Sequence, residues 1–358
     1  MIDNLAMKQR KTLNIALVKP PITGHQYRGT GIYTENIYIG LKKINEIFVN
    51  LVSIKDNVER FDLIHYPYFD PFFLTLPLLK KRPTVVTVHD LIPLKFPRYF
   101  PKGVKGYLKW QIQKFSLGQS NAIVTDSYSS KEDIIKYAGI NKDKIQVIYL
   151  GIGDRFKIIE SKKTLTSVKE KLKLPEKFLL HVGDVNYNKN VEGLIKVFAI
   201  IHKSYPDLEL VLIGSGFVNN SWQLREIKHL IDSLNLADKV HFLAQVSIDD
   251  LAGIYNLAKV YLQLSLAEGF GLPVLEAMAC GCPVVVSNQS SLFEIAGDSS
   301  ILVDPKDYPK IANAVTDLLV NISKYRYMRS KGLARAKMFS WEKTAKQTIE
   351  VYKRVINT

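Results

Sequence analysis

Short runs of Val, Ile and Leu alternate with longer amphipathic stretches from one end of the chain to the other. In the first half the runs predict strands at Leu13–Val18, Ile47–Val52, Asp62–His65, Thr84–His89, Asn121–Thr125 and Ile145–Tyr149. In the second half they fall at Phe178–Val182, Leu208–Ile213, Lys239–Leu243, Lys259–Leu264, Pro283–Ser287 and Ser300–Val303. Helical spacing fills the gaps, as at Tyr33–Lys43, Val191–His202 and Ile311–Val320. Apolar strands, each followed by a helix, imply parallel sheets covered on both faces. Six strands per half predict an α/β protein of two Rossmann-like, doubly wound domains rather than one large sheet.

The lysine-rich stretch Lys157–Lys173 has no strand pattern and marks the expected boundary, while Trp341–Ile356 reads as a terminal helix. In doubly wound folds ligands bind beyond the carboxyl ends of the strands. Two such domains facing each other would surround a shared cleft, with the functional residues just after strands.

Length and composition agree with this picture. The 358 residues suffice for about two domains, and 47% hydrophobic with 23% charged residues is ordinary globular composition. Cys280 and Cys282 are one residue apart in an apolar run, which offers no disulfide framework and favours a reducing, cytoplasmic setting. The polar start MIDNLAMKQRK lacks a signal peptide's apolar stretch, and no window is long and apolar enough to span a membrane. A soluble or peripheral protein is expected. The net charge of +15 is unevenly spread: +12 over residues 1–170, −5 over 171–323 and +8 over 324–358. That field suits an anionic partner, although a lysine-rich surface also serves solubility alone.

The most informative stretch is SLAEGFGLPVLEAMACGCP at 265–283. A strand gives way to a glycine-flanked loop, and a helix begins at Pro273, where a missing N–H costs nothing. Unpaired first-turn amides near Gly271–Val274 can hold a phosphate, and Gly269 and Gly271 would let backbone N–H groups approach a ligand closely. Glu268 and Glu276 flank the loop, and each carboxylate can accept from two neighbouring hydroxyls of a sugar or ribose. A retaining glycosidase pair needs carboxyl groups about 5–5.5 Å apart. The helical residues between these two alone add about 6 Å of rise, so the ends of an extended ligand fit better. No Asp-x-Asp motif or Cys/His cluster suggests a metal site.

EGFGLPVLEAMACGCPVV closely resembles the E-x7-E signature of the retaining glycosyltransferases of family 4, which have the GT-B fold. The resemblance implies that Glu268 contacts the donor sugar and Glu276 the ribose of its nucleotide. HVGDVNYNKN at 181–190 resembles the loop that holds the donor diphosphate, with Lys189 at the lysine position. VHDLIP at 88–93 resembles the segment whose His, here His89, approaches the reacting sugar, and RGTGIYTENI at 28–37 resembles the first glycine-rich loop, with Gly29 and Gly31 near phosphates and acceptor. VTDSYSSKEDI, VIYLGIGDRF, SNQSSLFEIAGDSSILVDP and FSWEKTA match in the same order. His65 and Lys19 sit at strand ends without further support.

By this resemblance, residues 1–160 form an acceptor domain, 170–340 a donor domain, and the helix at 341–358 crosses back onto the first. The implied catalytic residues are Glu268, His89 and Lys189; the implied donor ligands are Glu276, Gly269, Phe270, Gly271, Leu272, Lys189, Gly29 and Gly31. A nucleotide-diphosphate sugar would be the co-substrate, with no separate cofactor, and a saccharide or lipid-linked compound the acceptor. One departure stands out: the arginine that family members place beside the diphosphate is replaced by Asp184 or Asn188. Lys95–Phe115 holds six basic residues and no acid among aromatics, which suits either an anionic membrane surface at the inner face of the cell membrane or an ordinary helix with solvated lysines. Nucleic acid is not an expected partner. The residues also admit two other functions: a nucleotide-sugar 2-epimerase on the same fold, and a non-enzymatic binder of anionic membrane or polymer.

Overall fold

The computed structural model describes residues 12–20 and 29–357. Among these residues, twelve strands form two six-stranded, all-parallel sheets. The first contains β1 (Leu13–Val18), β2 (Ile47–Val52), β3 (Leu63–Tyr66), β4 (Thr84–Thr87), β5 (Ala122–Thr125) and β6 (Ile145–Val147), in the order β2-β1-β3-β4-β5-β6. The second contains β7 (Phe178–Val182), β8 (Glu209–Ile213), β9 (Val240–Leu243), β10 (Val260–Gln263), β11 (Val284–Ser287) and β12 (Ile301–Val303), in the order β12-β11-β10-β7-β8-β9. Central strands such as β4, β10 and β11 are buried throughout, as continuous apolar runs require.

Each predicted strand is present, with ends displaced by at most a few residues. Two local readings change. Gly29 and Gly31 do not form a loop: both lie in the first turn of the Gly29–Lys42 helix. Arg28 of that motif lies outside the described residues. The Lys157–Lys173 stretch contains a helix, Lys162–Lys171, whose Val168 packs on Gly253 and whose Lys171 pairs with Asp250 at 2.7 Å. It therefore belongs with the second sheet.

Strand order fixes where a ligand can sit. In the second sheet the chain runs outward from β7 to β9, then returns to lay β10 on the other side of β7. The switch point lies between β7 and β10, so the loops leaving these two strands mark where a ligand would sit. In the first sheet the corresponding point lies between β1 and β3.

The Trp341–Asn357 helix returns to the first sheet. Tyr352 Oη lies 2.6 Å from His65 Nδ1 in β3, and His65 Nε2 lies 2.8 Å from Thr87 Oγ1. Burial holds this imidazole neutral, with its pKa pushed down to about 3. His65 is thus an anchor for the crossing helix. The two passages of chain between the lobes run side by side, where Ile152 bridges Ser340. Cys280 and Cys282 are both buried as free thiols.

Candidate active site

The loop after β7 and the loop after β10 meet at the switch point. Lys189, in a 3-10 turn at Tyr187–Lys189, lies with Nζ 2.8 Å from both carboxylate oxygens of Glu268. Glu268 Oε1 also accepts from Gln263 Nε2 and Ser265 Oγ, each at 2.7 Å. Gln263 ends β10 and Ser265 follows it; neither carries a motif signal of its own, yet they aim the carboxylate. With so many donors, Glu268 is fixed in a mostly buried position facing a lysine.

The loop from Ser265 to Gly271 is braced along its backbone. Ser290 Oγ donates to Glu268 O at 2.8 Å, and Ser291 Oγ lies 3.0 and 2.9 Å from the carbonyls of Glu268 and Phe270. Asn188 Nδ2 donates to Ala267 O at 3.1 Å, while Leu266 N donates to Asn188 O at 2.7 Å. Asn188 occupies one of the two positions where an arginine was expected. It is buried, and it tethers one crevice loop to the other. Asp184, at the second position, accepts from Val185 N at 2.8 Å and packs on Gly216. Neither side chain supplies positive charge to the crevice.

Gly271, at φ 109°, caps the Leu272–Ala279 helix, which starts one residue before the expected Pro273. The Phe270 ring turns away from the crevice into an aromatic cluster with Tyr149 and Phe339, centroids 6.0 and 6.1 Å away. Any contribution of Phe270 to a ligand would come from its backbone. One turn into the helix, Glu276 accepts from Tyr255 Oη at 3.0 Å. Burial pushes its pKa up to about 7, against the lowering effect of that hydrogen bond.

The facing side comes from the first sheet. His89 follows β4, and Asp126 follows β5. His89 Nδ1 lies 2.6 Å from Asp126 Oδ2, and Nε2 lies 3.1 Å from the Pro67 carbonyl oxygen. Both ring nitrogens therefore face acceptors, and only an imidazolium can donate to both. Burial alone would lower the His89 pKa, but Asp126, Asp90 and the Pro67 carbonyl outweigh it and raise it. Tyr33 stands edge-on to the ring at 4.8 Å. Burial raises the pKa of the neighbouring Asp90, and the charge of Glu268 adds to the effect.

The two sides touch at Gly269. A Cβ there would come within 2.9 Å of His89 O and 3.1 Å of Asp90 Cβ, so the close approach requires glycine. Ser130 Oγ lies 2.8 Å from His89 O and 3.2 Å from Gly269 O, bridging the lobes. Farther out, Glu294 accepts from the amides of Tyr128 and Ser129 and from Tyr149 Oη, all at 3.0 Å. A carboxylate from the second lobe thus caps a helix of the first. Tyr187 stacks on Tyr99 across the opening, with Phe96 edge-on.

The structure therefore brings together Glu268, Lys189, Gly269, His89 and Asp90, with Glu276 one helical turn beyond the loop. Gly29 and Gly31 stay on the first-lobe helix, and a Cβ at Gly29 would meet nothing within 4 Å. Sequence reasoning missed Asp126, Gln263, Ser265 and Tyr255, each of which holds one of the predicted residues. Among the described residues no group of three His, Cys, Asp or Glu side chains could hold a metal ion.

Two doubly wound lobes meeting across strand-end loops define the GT-B class of α/β protein. The structure superimposes on that of HepE from Anabaena, solved in complex with UDP-glucose, with a TM-score of 0.75 and 18% identity, covering 96% of this chain and 100% of that one. Residues 162–335 match the family described as Glycosyl transferases group 1, and residues 26–155 match Glycosyltransferase Family 4. The O-antigen chain mannosyltransferase B of Escherichia coli is 32% identical over 297 residues, covering 82% of this chain and 75% of the relative. The serotype-specific mannosyltransferase WbdA of Escherichia coli is also 32% identical, over 77% of this chain, but the chain spans only 34% of that relative's length. The chain belongs to glycosyltransferase family 4.

Proposed function

We propose that the chain transfers a hexose, with retention of anomeric configuration, from a nucleotide-diphosphate sugar to a hydroxyl of a saccharide or lipid-linked acceptor in surface polysaccharide or glycolipid synthesis. The observation that carries this reading is the placement of Glu268 and Glu276 at the two ends of an anion-receptive helix start, with Lys189 on Glu268 and His89 facing Gly269. The mannosyltransferase and O-antigen names of the relatives support the acceptor class, and the UDP-glucose bound by HepE supports the donor class.

In this reading Glu276 binds the ribose diol, and Glu268 orients the sugar hydroxyls. Breaking the sugar–phosphate bond builds negative charge on the departing diphosphate, which Lys189 and the amides of Phe270, Gly271 and Leu272 stabilise. This assignment asks for no metal. His89, its imidazole held by Asp126, stands beside the anomeric centre. The acceptor attacks on the face the diphosphate leaves, and a phosphate oxygen takes the acceptor proton. No protein nucleophile is needed. Closure of the lobes excludes water and suppresses donor hydrolysis.

Thermal shifts with UDP, GDP, ADP and dTDP test the donor site. A ligand at about 100 times its Kd adds roughly 2.7 kcal/mol, which raises Tm by roughly 5–11 °C for lobes of this size. One nucleotide should shift the wild type and fail to shift Glu276→Ala. Product formation that requires an added acceptor then establishes transfer; sugar interconversion without one would replace it with epimerisation.

A further inference from the structure

The surface between β3 and the end of the Gly103–Gly118 helix is built inside out. That helix turns Gln113 and Ser116 inward, both buried, alongside Gly106, Trp110 and Leu117. Its outward face presents Val104, Tyr107, Leu108, Ile112 and Phe115, all exposed. The inward polar groups fasten the neighbouring strap of residues 70–80. Gln113 Oε1 accepts from Thr75 N and Thr75 Oγ1 at 2.9 Å and from Leu76 N at 3.1 Å. Ser116 Oγ and Lys80 Nζ each donate to Pro77 O at 2.7 Å.

With its backbone tied to the helix, the strap sends Phe73, Leu74, Leu78 and Leu79 into solvent, Leu79 at 85% exposure. The two elements are continuous, since Phe72 packs near Gly106 and Lys109 Nζ lies 5.5 Å from the centre of the Phe73 ring. Such an extended apolar surface on a braced scaffold marks an interaction site.

Its rim has one sign of charge. From Pro71 to Ser120 the chain carries nine Lys and Arg and a single acid, Asp90, which lies in the cleft. Glu59 is occupied by Lys81, and Asp70 accepts from the strap's own amides at Phe72 and Phe73. Lys102, Lys105 and Lys109 stand among the exposed apolar side chains, with Lys102 over the Tyr107 ring. Apolar groups ringed by lysines complement a layer whose charge is negative and whose interior is hydrocarbon.

We propose that this face docks onto an anionic phospholipid surface, with Phe73, Leu74, Leu79, Val104 and Leu108 entering the interface and Lys102, Lys105 and Lys109 meeting phosphate groups. The helix lies in the plane of the surface rather than across it; among the described residues no helix is long and apolar enough to cross a membrane. The docked surface borders the cleft, because Phe96 and Tyr99, just before this helix, are the residues that touch Tyr187 of the second lobe.

Vesicle flotation of the whole chain tests this without reference to any transfer reaction. The protein should float with mixed phosphatidylcholine–phosphatidylglycerol vesicles and bind phosphatidylcholine alone at least about tenfold more weakly. Lys102→Glu/Lys105→Glu/Lys109→Glu should lose at least about tenfold of the affinity for mixed vesicles. Phe73→Ser/Leu79→Ser/Val104→Ser/Leu108→Ser should lose the part of binding that survives high salt. Five of the seven positions are exposed and Lys102 and Lys109 are half-buried, so an unchanged melting curve is needed to confirm that the variants fold. No flotation of the wild type, or variants that float as it does, would overturn the proposal. So would a dimer that the serine variant converts to monomer without any vesicle binding, since the face would then cover a second copy.

Discussion

Lys189 Nζ lies 2.8 Å from each carboxylate oxygen of Glu268, joining the loops that leave β7 and β10. In the proposed reaction each residue serves a different part of the donor, and each holds the other in place. Removing one partner of a largely buried pair leaves an uncompensated charge, which costs more than removing both. Lys189→Met should therefore destabilise by about 3 kcal/mol, and adding Glu268→Gln should restore much of the loss, since Gln263 and Ser265 still serve the amide. Denaturant titration of the two single variants and the double variant should give a coupling of about 1–3 kcal/mol. Strictly additive changes would mean that the contact is incidental.

The His89–Asp126 pair carries a pH signature. The folded protein raises the His89 pKa above its ordinary value of about 6.5. Its stabilisation is then complete below that value and drains away as pH rises through the higher native one. Asp126→Asn removes the effect. The melting temperature of the wild type should exceed that of Asp126→Asn by the widest margin near pH 6, and the gap should narrow toward pH 9. A gap independent of pH would show that Asp126 acts only through packing. In transfer assays, if the proposed reaction holds, the same variant should lower kcat more than it raises KM.

As the proposed ribose ligand, Glu276 behaves in the opposite sense. Its pKa is raised by burial to about 7, so near neutrality it is part protonated, and only the ionised form accepts from both hydroxyls of a diol. Nucleotide affinity should rise between about pH 6 and pH 8, and Glu276→Gln should bind weakly across that range. Stability runs the other way: the raised native pKa stabilises the fold below the unfolded carboxyl value and loses that contribution as pH climbs through about 7. Calorimetric titration of the wild type and Glu276→Gln over this range reads both slopes.

The twelve strands were legible because most are short runs rich in Val, Ile and Leu bounded by polar turns, the central ones buried throughout, and the site was legible because its loops follow strands. Pairings across the fold were not. Lys189 and Glu268 are 79 residues apart, and only the adjacency of β7 and β10 brings them together. Asp126 lies in VTDSYSSKEDI, which resembled the family only as a segment, and nothing in it tells that the carboxylate turns to His89. Tyr255 reads as a core aromatic at helical spacing, and it is buried; its hydroxyl also holds Glu276. The absence of an arginine at Asp184 and Asn188 was plain from the sequence. That Asn188 is used as a buried tether was not, because an amide's partners depend on which loop lies over it. Gly29-x-Gly31 illustrates the reverse error: the same spacing that permits a loop also opens a helix.

Gly151 tests whether the paired crossings between lobes set their arrangement. A Cβ at this position would fall within van der Waals contact of Trp341 N and lie 2.5 Å from Ser340 C, both backbone atoms that cannot swing aside. The two passages would have to separate, breaking the Ile152–Ser340 bridge and shifting the start of the terminal helix. Overpacking of this kind costs about 1–3 kcal/mol, and a rigid backbone neighbour puts Gly151→Ala at the upper end, with a Tm lowered by about 5 °C or more. Gly153→Ala is the control: its Cβ would meet only the Phe156 ring, at 3.8 Å, and Tm should hardly change. Because Gly269 meets His89 and Asp90 across the same lobe junction, small-angle scattering of Gly151→Ala should also show a more open molecule. Equal melting of the two alanine variants would mean that the crossings tolerate separation and that the cleft is held by Ser130, Glu294 and Tyr187 instead.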